Sequence, residues 1–411
     1  MVSRRRLLSF TGGYGASVII SGVISIAVLP AIIILAGEAA WAEIAVAQGV
    51  AGFAYVLVVF GWGVTGPTEV ASLPPESRGR FYLDSLVSRC WLLLVVLPPT
   101  IVVALLFSTN YRLIAAMTVV TGLVAALSGA WFFVGEASHG RYFVLDTIPK
   151  SIGTLAGAGL LFVTNDALWF IVVQGLGSVT AIALSTASIA KRYPGWVRDF
   201  SPRSAFRRLS GQSAAVAMSA TSAVYVNLPI LIVGAFAGTQ ATAAYALAER
   251  LMRFALMATR PMVQVAQSYV PSKDLDDQAR RSRVVIRIAV ATGILGGLAF
   301  AVATPWIVVL FSGSGLAISY ALSIPLGVAL GAMLVSQITG FACLTAFGLT
   351  RALATSTIAG AISGAILLVP LMLLFGTPGI AAGLAVSEIV VLVVQLAKLR
   401  PFLWQRDTLT A

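Results

Sequence analysis

The chain has 411 residues, 59% of them hydrophobic and only 10% charged, with a mean hydropathy of +0.96. A soluble domain carries about a quarter charged residues, so the composition excludes a water-soluble globular enzyme and points to an all-α polytopic membrane protein. The net charge of +12 (27 Lys+Arg against 15 Asp+Glu) is read as cations gathered in cytoplasmic loops, with no nucleic acid as partner.

Each crossing needs about 20 mostly apolar residues. On that measure the sequence accommodates twelve spans: 9–36, 43–64, 82–107, 113–135, 142–163, 167–190, 211–236, 242–267, 284–311, 318–348, 352–375 and 378–399. Punctuation falls between them. Gly37-Glu38 ends the first, Leu73-Pro74-Pro75-Glu76 separates the second and third, and Thr164-Asn165-Asp166 the fifth and sixth. The apolar run after MVSRRRLLSF continues past Pro30 to Ala36 with no small-residue cleavage site, so it reads as a first span and not a signal peptide.

The loop cations fall on one side of this scheme. They precede span one (Arg4, Arg5, Arg6), follow six (Lys191, Arg192, Arg198, Arg203, Arg207, Arg208), eight (Lys273, Arg280, Arg281, Arg283) and twelve (Lys398, Arg400, Arg406), and also lie at Arg78, Arg80, Arg141 and Arg351. Only Arg112 lies opposite. Both termini are therefore expected in the cytoplasm. Ala36–Ala47 can be laid over Ala237–Ala248, which sets an N-terminal lobe of spans 1–6 (1–190) against a C-terminal lobe of spans 7–12 (211–411), joined by a basic cytoplasmic linker (191–210).

The main chemical signal is Tyr245–Pro271, apolar enough for a bilayer yet carrying Glu249, Arg250, Arg253 and Arg260. On one continuous helix the three arginines fall within roughly 80° and span about 15 Å. Hydrocarbon tolerates such a stripe only where the charges pair, face water or meet a ligand. The guanidinium fork matches phosphate and carboxylate, so Arg250 and Arg253 are assigned to a cavity for an anionic substrate, with structural pairing between helices as the alternative. Glu249 and Arg253 are spaced as a helical i,i+4 pair, and Arg260 reads as an anchor at the inner face.

Arg89 either snorkels or faces a cavity; Asp84 is a neighbour at poor helical spacing. Lys150, after Pro149 where the helix can be irregular, either lines a cavity or does not. Glu249 and Glu388 are the carboxylates read as coupling or structural groups. The lone His139 makes neither a metal site nor a triad, no Walker motif appears, and no metal or cofactor is expected. The tryptophans and tyrosines read by default as interfacial or packing residues, with stacking on sugars the alternative at Trp62 and Trp131. Cys90 and Cys343 read as buried thiols.

Four stretches together resemble polysaccharide (O-antigen type, Wzx-like) flippases. They are Gly37–Ser72, Ser128–Ala137 (SGAWFFVGEA), Tyr245–Pro271 with its Tyr-x-x-Ala-Glu-Arg segment, and Phe375–Glu388 (FGTPGIAAGLAVSE). The resemblance implies the multidrug/oligosaccharidyl-lipid/polysaccharide exporter fold, with twelve helices in two six-helix lobes around a central cavity. It also implies a protein of the bacterial cytoplasmic membrane that moves polyprenyl-pyrophosphate-linked sugars between leaflets. Membrane lipid and the glycosyltransferases or polymerase of the same pathway would be its partners. Lipid II flippases carry arginines in their first two spans. Here those spans have none beyond Arg6, which argues against lipid II as substrate. The rival readings are a small-molecule cation antiporter of the same fold, which predicts ion-binding carboxylates in the spans, and a scaffold or membrane polymerase of polysaccharide assembly.

Overall fold

The computed structural model describes residues 4–193, 206, 209 and 212–404, and among these every regular element is a helix. Most of the expected basic linker, with Arg198, Arg203, Arg207 and Arg208, lies outside the described residues, as does Arg406. Nine helical stretches among the described residues are long and apolar enough to cross a bilayer. They coincide with expected spans one to four, six, and nine to twelve.

The other three expected spans fall short for local reasons. The fifth is interrupted by a π-turn at Phe143–Thr147, which leaves a 17-residue helix at Ile148–Thr164. The seventh is the helix Ser213–Phe236, whose described apolar part is Val226–Phe236. The eighth is divided into Thr239–Ala258 and Arg260–Tyr269. The chain has the all-α architecture of a polytopic membrane protein with about twelve spans.

Two helices start earlier than hydropathy suggests. Pro75–Phe107 has 33 residues and Leu275–Phe311 has 37, about 50 and 55 Å at 1.5 Å per residue. Both exceed a hydrocarbon core of about 30 Å, so each carries a polar N-terminal extension. Hydropathy locates where the apolar run begins; the helix begins where a cap allows it. Pro75 occupies the first helical position of one, where its missing N–H has no partner to lose. Asp274 caps the other by accepting from the Asp276 N–H at 3.1 Å.

The chain divides into two compact units, Met1–Leu231 and Ile232–Ala411, with the division inside the Ser213–Phe236 helix. In the first unit the helix Glu38–Val59 packs on Arg112–Val124 and on Pro75–Phe107, and Ile148–Thr164 packs on Ala167–Arg192. Much of that core is small: Ala47, Val50, Ala51, Ala54, Ala104 and Ala115 are all buried. Lipid tails are as apolar as these side chains, so membrane helices gain mainly from close backbone approach.

The second unit shows this approach most clearly. Leu275–Phe311 packs on Tyr320–Ile338, with Gly293 and Gly297 facing Gly331 and Gly327. A Cβ added at Gly297 would lie 2.4 Å from the Gly327 carbonyl oxygen, and one at Gly331 would lie 2.6 Å from that of Gly293. Gly296, one residue away, has open space around it. Gly297→Leu is therefore expected to cost about 1–3 kcal/mol by overpacking and to lower the thermal unfolding midpoint in detergent, while Gly296→Leu leaves it unchanged. Equal midpoints for the two variants would refute the backbone crossing.

Candidate functional site: a charged network in each unit

In the first unit the site grows from a broken helix. The fourth span, expected to be continuous over 113–135, runs as α-helix from Arg112 to Val124. It tightens to a 3-10 turn at Ala125–Leu127, opens at Ser128 (φ −51°, ψ 139°) and resumes at Ala130–Gly135. Such a break strands carbonyl groups that water cannot reach. Arg89, 1% exposed, satisfies them: its Nη1 donates to Ala126 O at 2.8 Å and to Ser128 O at 2.9 Å, and its Nε to Ser85 O at 3.2 Å. The guanidinium also lies 5.7 Å from the centre of the Trp131 ring.

Ser128 links this clamp to Lys150. The Ser128 hydroxyl donates to Asp146 Oδ1 at 2.6 Å and accepts the Ala130 N–H at 3.1 Å. Lys150 Nζ donates to the same Asp146 oxygen at 2.7 Å and approaches the Ser128 hydroxyl at 3.4 Å. Asp146 lies in the π-turn just before Pro149. Proline has no N–H to give the Leu145 carbonyl four residues back; the Ser185 hydroxyl reaches that carbonyl at 3.5 Å. Arg89 and Lys150, 61 residues apart in sequence, thus belong to one network.

Lys150 is the accessible end of it. Its side chain is 30% exposed, against 6% for Asp146. It opens on a cavity of about 300 Å³ lined also by Gln48, Thr118, Thr121, Thr154, Gln174 and Ser178. Hydroxyls, amides and one ammonium can hydrogen-bond a polar or anionic group while apolar helices surround them.

The remaining sequence candidates in this unit are placed differently from expectation. Asp84 pairs with Arg80 at 3.7 Å, one turn earlier, where helical spacing favours contact. Trp62 and Trp131 are 0% and 7% exposed and pack with Phe81, Tyr82, Phe132 and Phe133, so neither presents a ring to a sugar. Sequence reasoning overlooked Glu136. This carboxylate accepts from Arg192 Nη1 at 2.8 Å, from the Tyr193 hydroxyl and from Ser138, and ties the end of the fourth span to the end of the sixth. Burial, then the bond to Glu136, raises the Tyr193 hydroxyl above its ordinary pKa.

In the second unit the expected helical pair is present. Arg253 Nη2 lies 2.7 Å from Glu249 Oε1, with side chains 39% and 9% exposed. Tyr245, one turn before Glu249, is fully buried. Arg250 is half-buried on the same helix. Arg260 does not continue their stripe, because Pro261 denies its N–H to the preceding turn and the helix ends at Ala258. Arg260 instead opens a second helix, exposed at its start. Glu388 is 6% exposed in Thr377–Trp404, next to Ser387, whose hydroxyl donates to Gly360 O at 2.5 Å. Cys90 and Cys343 are free thiols; Cys343 is buried and Cys90 half-buried.

No protein-family model and no curated protein matches the chain. Solved structures do. A lipid II flippase, MurJ, in an inward closed conformation shares 12% identity, with 96% of this chain and 87% of that one covered, at a TM-score of 0.71. The eukaryotic MATE transporter AtDTX14 shares 13% identity over 99% of this chain and 96% of that one, at 0.53. A MATE transporter in the bent conformation shares 14% over 99% and 100%, also at 0.53. The chain has the fold of these flippase and MATE transporter structures.

Arg89→Met removes the donor from two buried carbonyls at the helix break, each worth roughly 1–3 kcal/mol when orphaned. A marked fall of the thermal unfolding midpoint is expected, with no shift for Arg112→Met at an exposed position. An unchanged Arg89→Met midpoint would show that those carbonyls find other donors.

Proposed function

We propose that the protein is a flippase that carries polyprenyl-pyrophosphate-linked oligosaccharide across the bacterial cytoplasmic membrane, for cell-surface polysaccharide assembly, by alternating access. The observation that carries this reading is the sign of the charges within the spans. Asp84, Asp146 and Glu249 each have a cation partner, and Lys150 opens on a polar cavity. A cation antiporter needs carboxylates available to an ion. Here the sequence's cationic surplus and its paired acids favour an anionic cargo. The likeness to a lipid II flippase supports a lipid-linked cargo, and the two compact units supply the halves that alternating access requires.

In this mechanism Arg250 and Arg253 hold the pyrophosphate–sugar headgroup while the polyprenyl tail stays in lipid. Lys150 contributes a further contact, and Arg89 acts indirectly, by fixing the turn that presents Ser128 and Asp146. Glu249 moderates the charge of Arg253, which keeps binding weak enough for release. Both termini face the cytoplasm, and the glycosyltransferases and polymerase of the pathway act before and after this step.

The test is complementation of a polysaccharide-export mutant. Arg250→Ala and Arg253→Ala are each expected to lower export about tenfold or more at normal protein levels, the equivalent of one charge-assisted contact. Full export by both variants would reject the headgroup role. Proton- or sodium-driven efflux of small cations from vesicles containing the purified protein would favour the antiporter instead.

A further inference from the structure

The polar cavity beside Lys150 has a one-sided chemistry. Three threonines line it, and each spends its single hydroxyl proton on a carbonyl of its own helix. Thr118 donates to Ile114 O at 2.8 Å, Thr121 to Thr118 O at 3.1 Å and Thr154 to Lys150 O at 2.9 Å. These oxygens keep only lone pairs for a ligand. Gln174, on the helix Ala167–Arg192, gives one amide N–H to Thr154 Oγ1 at 3.4 Å, which leaves its carbonyl oxygen and one further N–H. Lys150 supplies the strong donor. Its ammonium has three N–H groups; one goes to Asp146 at 2.7 Å and a second approaches Ser128 at 3.4 Å, so one remains. Asp146 also balances the ammonium charge.

This inventory separates three classes of occupant. A phosphate offers acceptors, and would face threonine oxygens whose protons are already committed. A metal cation would suit those oxygens but would meet the like charge of Lys150. A sugar hydroxyl both donates and accepts, so one group can take a threonine lone pair and another the Lys150 N–H. Between the polar groups the wall is Ile44, Phe170 and Ile171, apolar surface that matches the C–H face of a pyranose ring. The volume of about 300 Å³ equals that of about ten waters at roughly 30 Å³ each, room for one ring with its substituents and not for two.

We propose that this cavity is a subsite for a single neutral sugar unit, with ring hydroxyls on Thr121, Thr154, Gln174 and the remaining N–H of Lys150. The source of the sugar rests on the flippase reading, which the proposal sharpens: the pyrophosphate is held elsewhere, and Thr121 and Gln174 help to choose among sugars.

Saturation-transfer difference NMR tests this on the full-length protein in a detergent without a sugar headgroup. The ligands are methyl glucoside, methyl galactoside and methyl N-acetylglucosaminide, with inorganic pyrophosphate as competitor. At least one glycoside is expected to receive saturation, and equimolar pyrophosphate is expected to leave that signal unchanged. Gln174→Leu and Thr121→Val each remove a hydrogen-bonding group from the lining and are expected to weaken the glycoside about tenfold. Gln240→Leu, at an exposed amide of the second unit, is expected to leave it unchanged. No saturation of any of the three by the wild type would overturn the proposal. So would full affinity in both lining variants, which would put the sugar elsewhere, or displacement by pyrophosphate, which would make the cavity an anion site. These ligands carry neither lipid nor phosphate, so the outcome is separate from the export assay. Full export by the Arg250 and Arg253 variants would leave glycoside binding in place, and absent glycoside binding would leave the flippase with its sugar held at another site.

Discussion

Everything in the first unit turns on one unfavourable event made tolerable: a helix that breaks inside the bilayer. A backbone carbonyl left unpaired there costs several kcal/mol, and the turn at Ala125–Ser128 exposes two on the side where Arg89 lies. A buried guanidinium is itself expensive. Each solves the other's problem, because the carbonyls supply acceptors and the arginine supplies a planar fork of donors. Lysine has neither the reach nor the geometry for this exchange. Once the turn is pinned, Ser128 points its hydroxyl at Asp146, Asp146 holds Lys150, and Lys150 stands at the edge of a polar cavity.

The same logic of paired irregularities recurs through the chain. Pro149 removes a donor and Ser185 replaces it from a neighbouring helix. Pro261 ends one helix, and Arg260 opens the next at an exposed position. Asp146 lies in the π-turn at Phe143–Thr147 and pairs with Lys150 four residues on. Regular stretches between these points are held differently, by glycine and alanine contacts that let backbones touch. The regular helices supply rigidity, and the breaks place charges where a continuous helix could not.

This division explains what was legible in the sequence. The number of spans followed from hydropathy, and the Glu249–Arg253 pair from helical spacing, because both depend on local periodicity. The break at Ser128 did not, although a Ser-Gly step within an apolar helix is a known cause of kinks. Its significance depends on Arg89, nearly forty residues away, and no local pattern reports that contact. For Trp62 and Trp131 the default reading as packing residues holds and the sugar-stacking alternative does not, for a related reason. An aromatic near a span end looks like an interfacial or ligand-facing ring until the neighbours that bury it are known. Glu136 was passed over because its partners, Arg192 and Tyr193, lie two spans later.

Proline at position 261 has a larger consequence than ending a stripe of arginines. Had the helix continued, Arg260 would have stayed on the face of Arg250 and Arg253, and three cations within roughly 80° would have repelled one another with only Glu249 to offset them. The break separates two tasks. Arg250 and Arg253 remain with Glu249 on the helix Thr239–Ala258, where a low dielectric strengthens the Arg253–Glu249 pair. Arg260 opens the second helix at an exposed position, where surrounding solvent screens it. One residue without an N–H thus divides a single run of sequence into two helices with their charges in different surroundings.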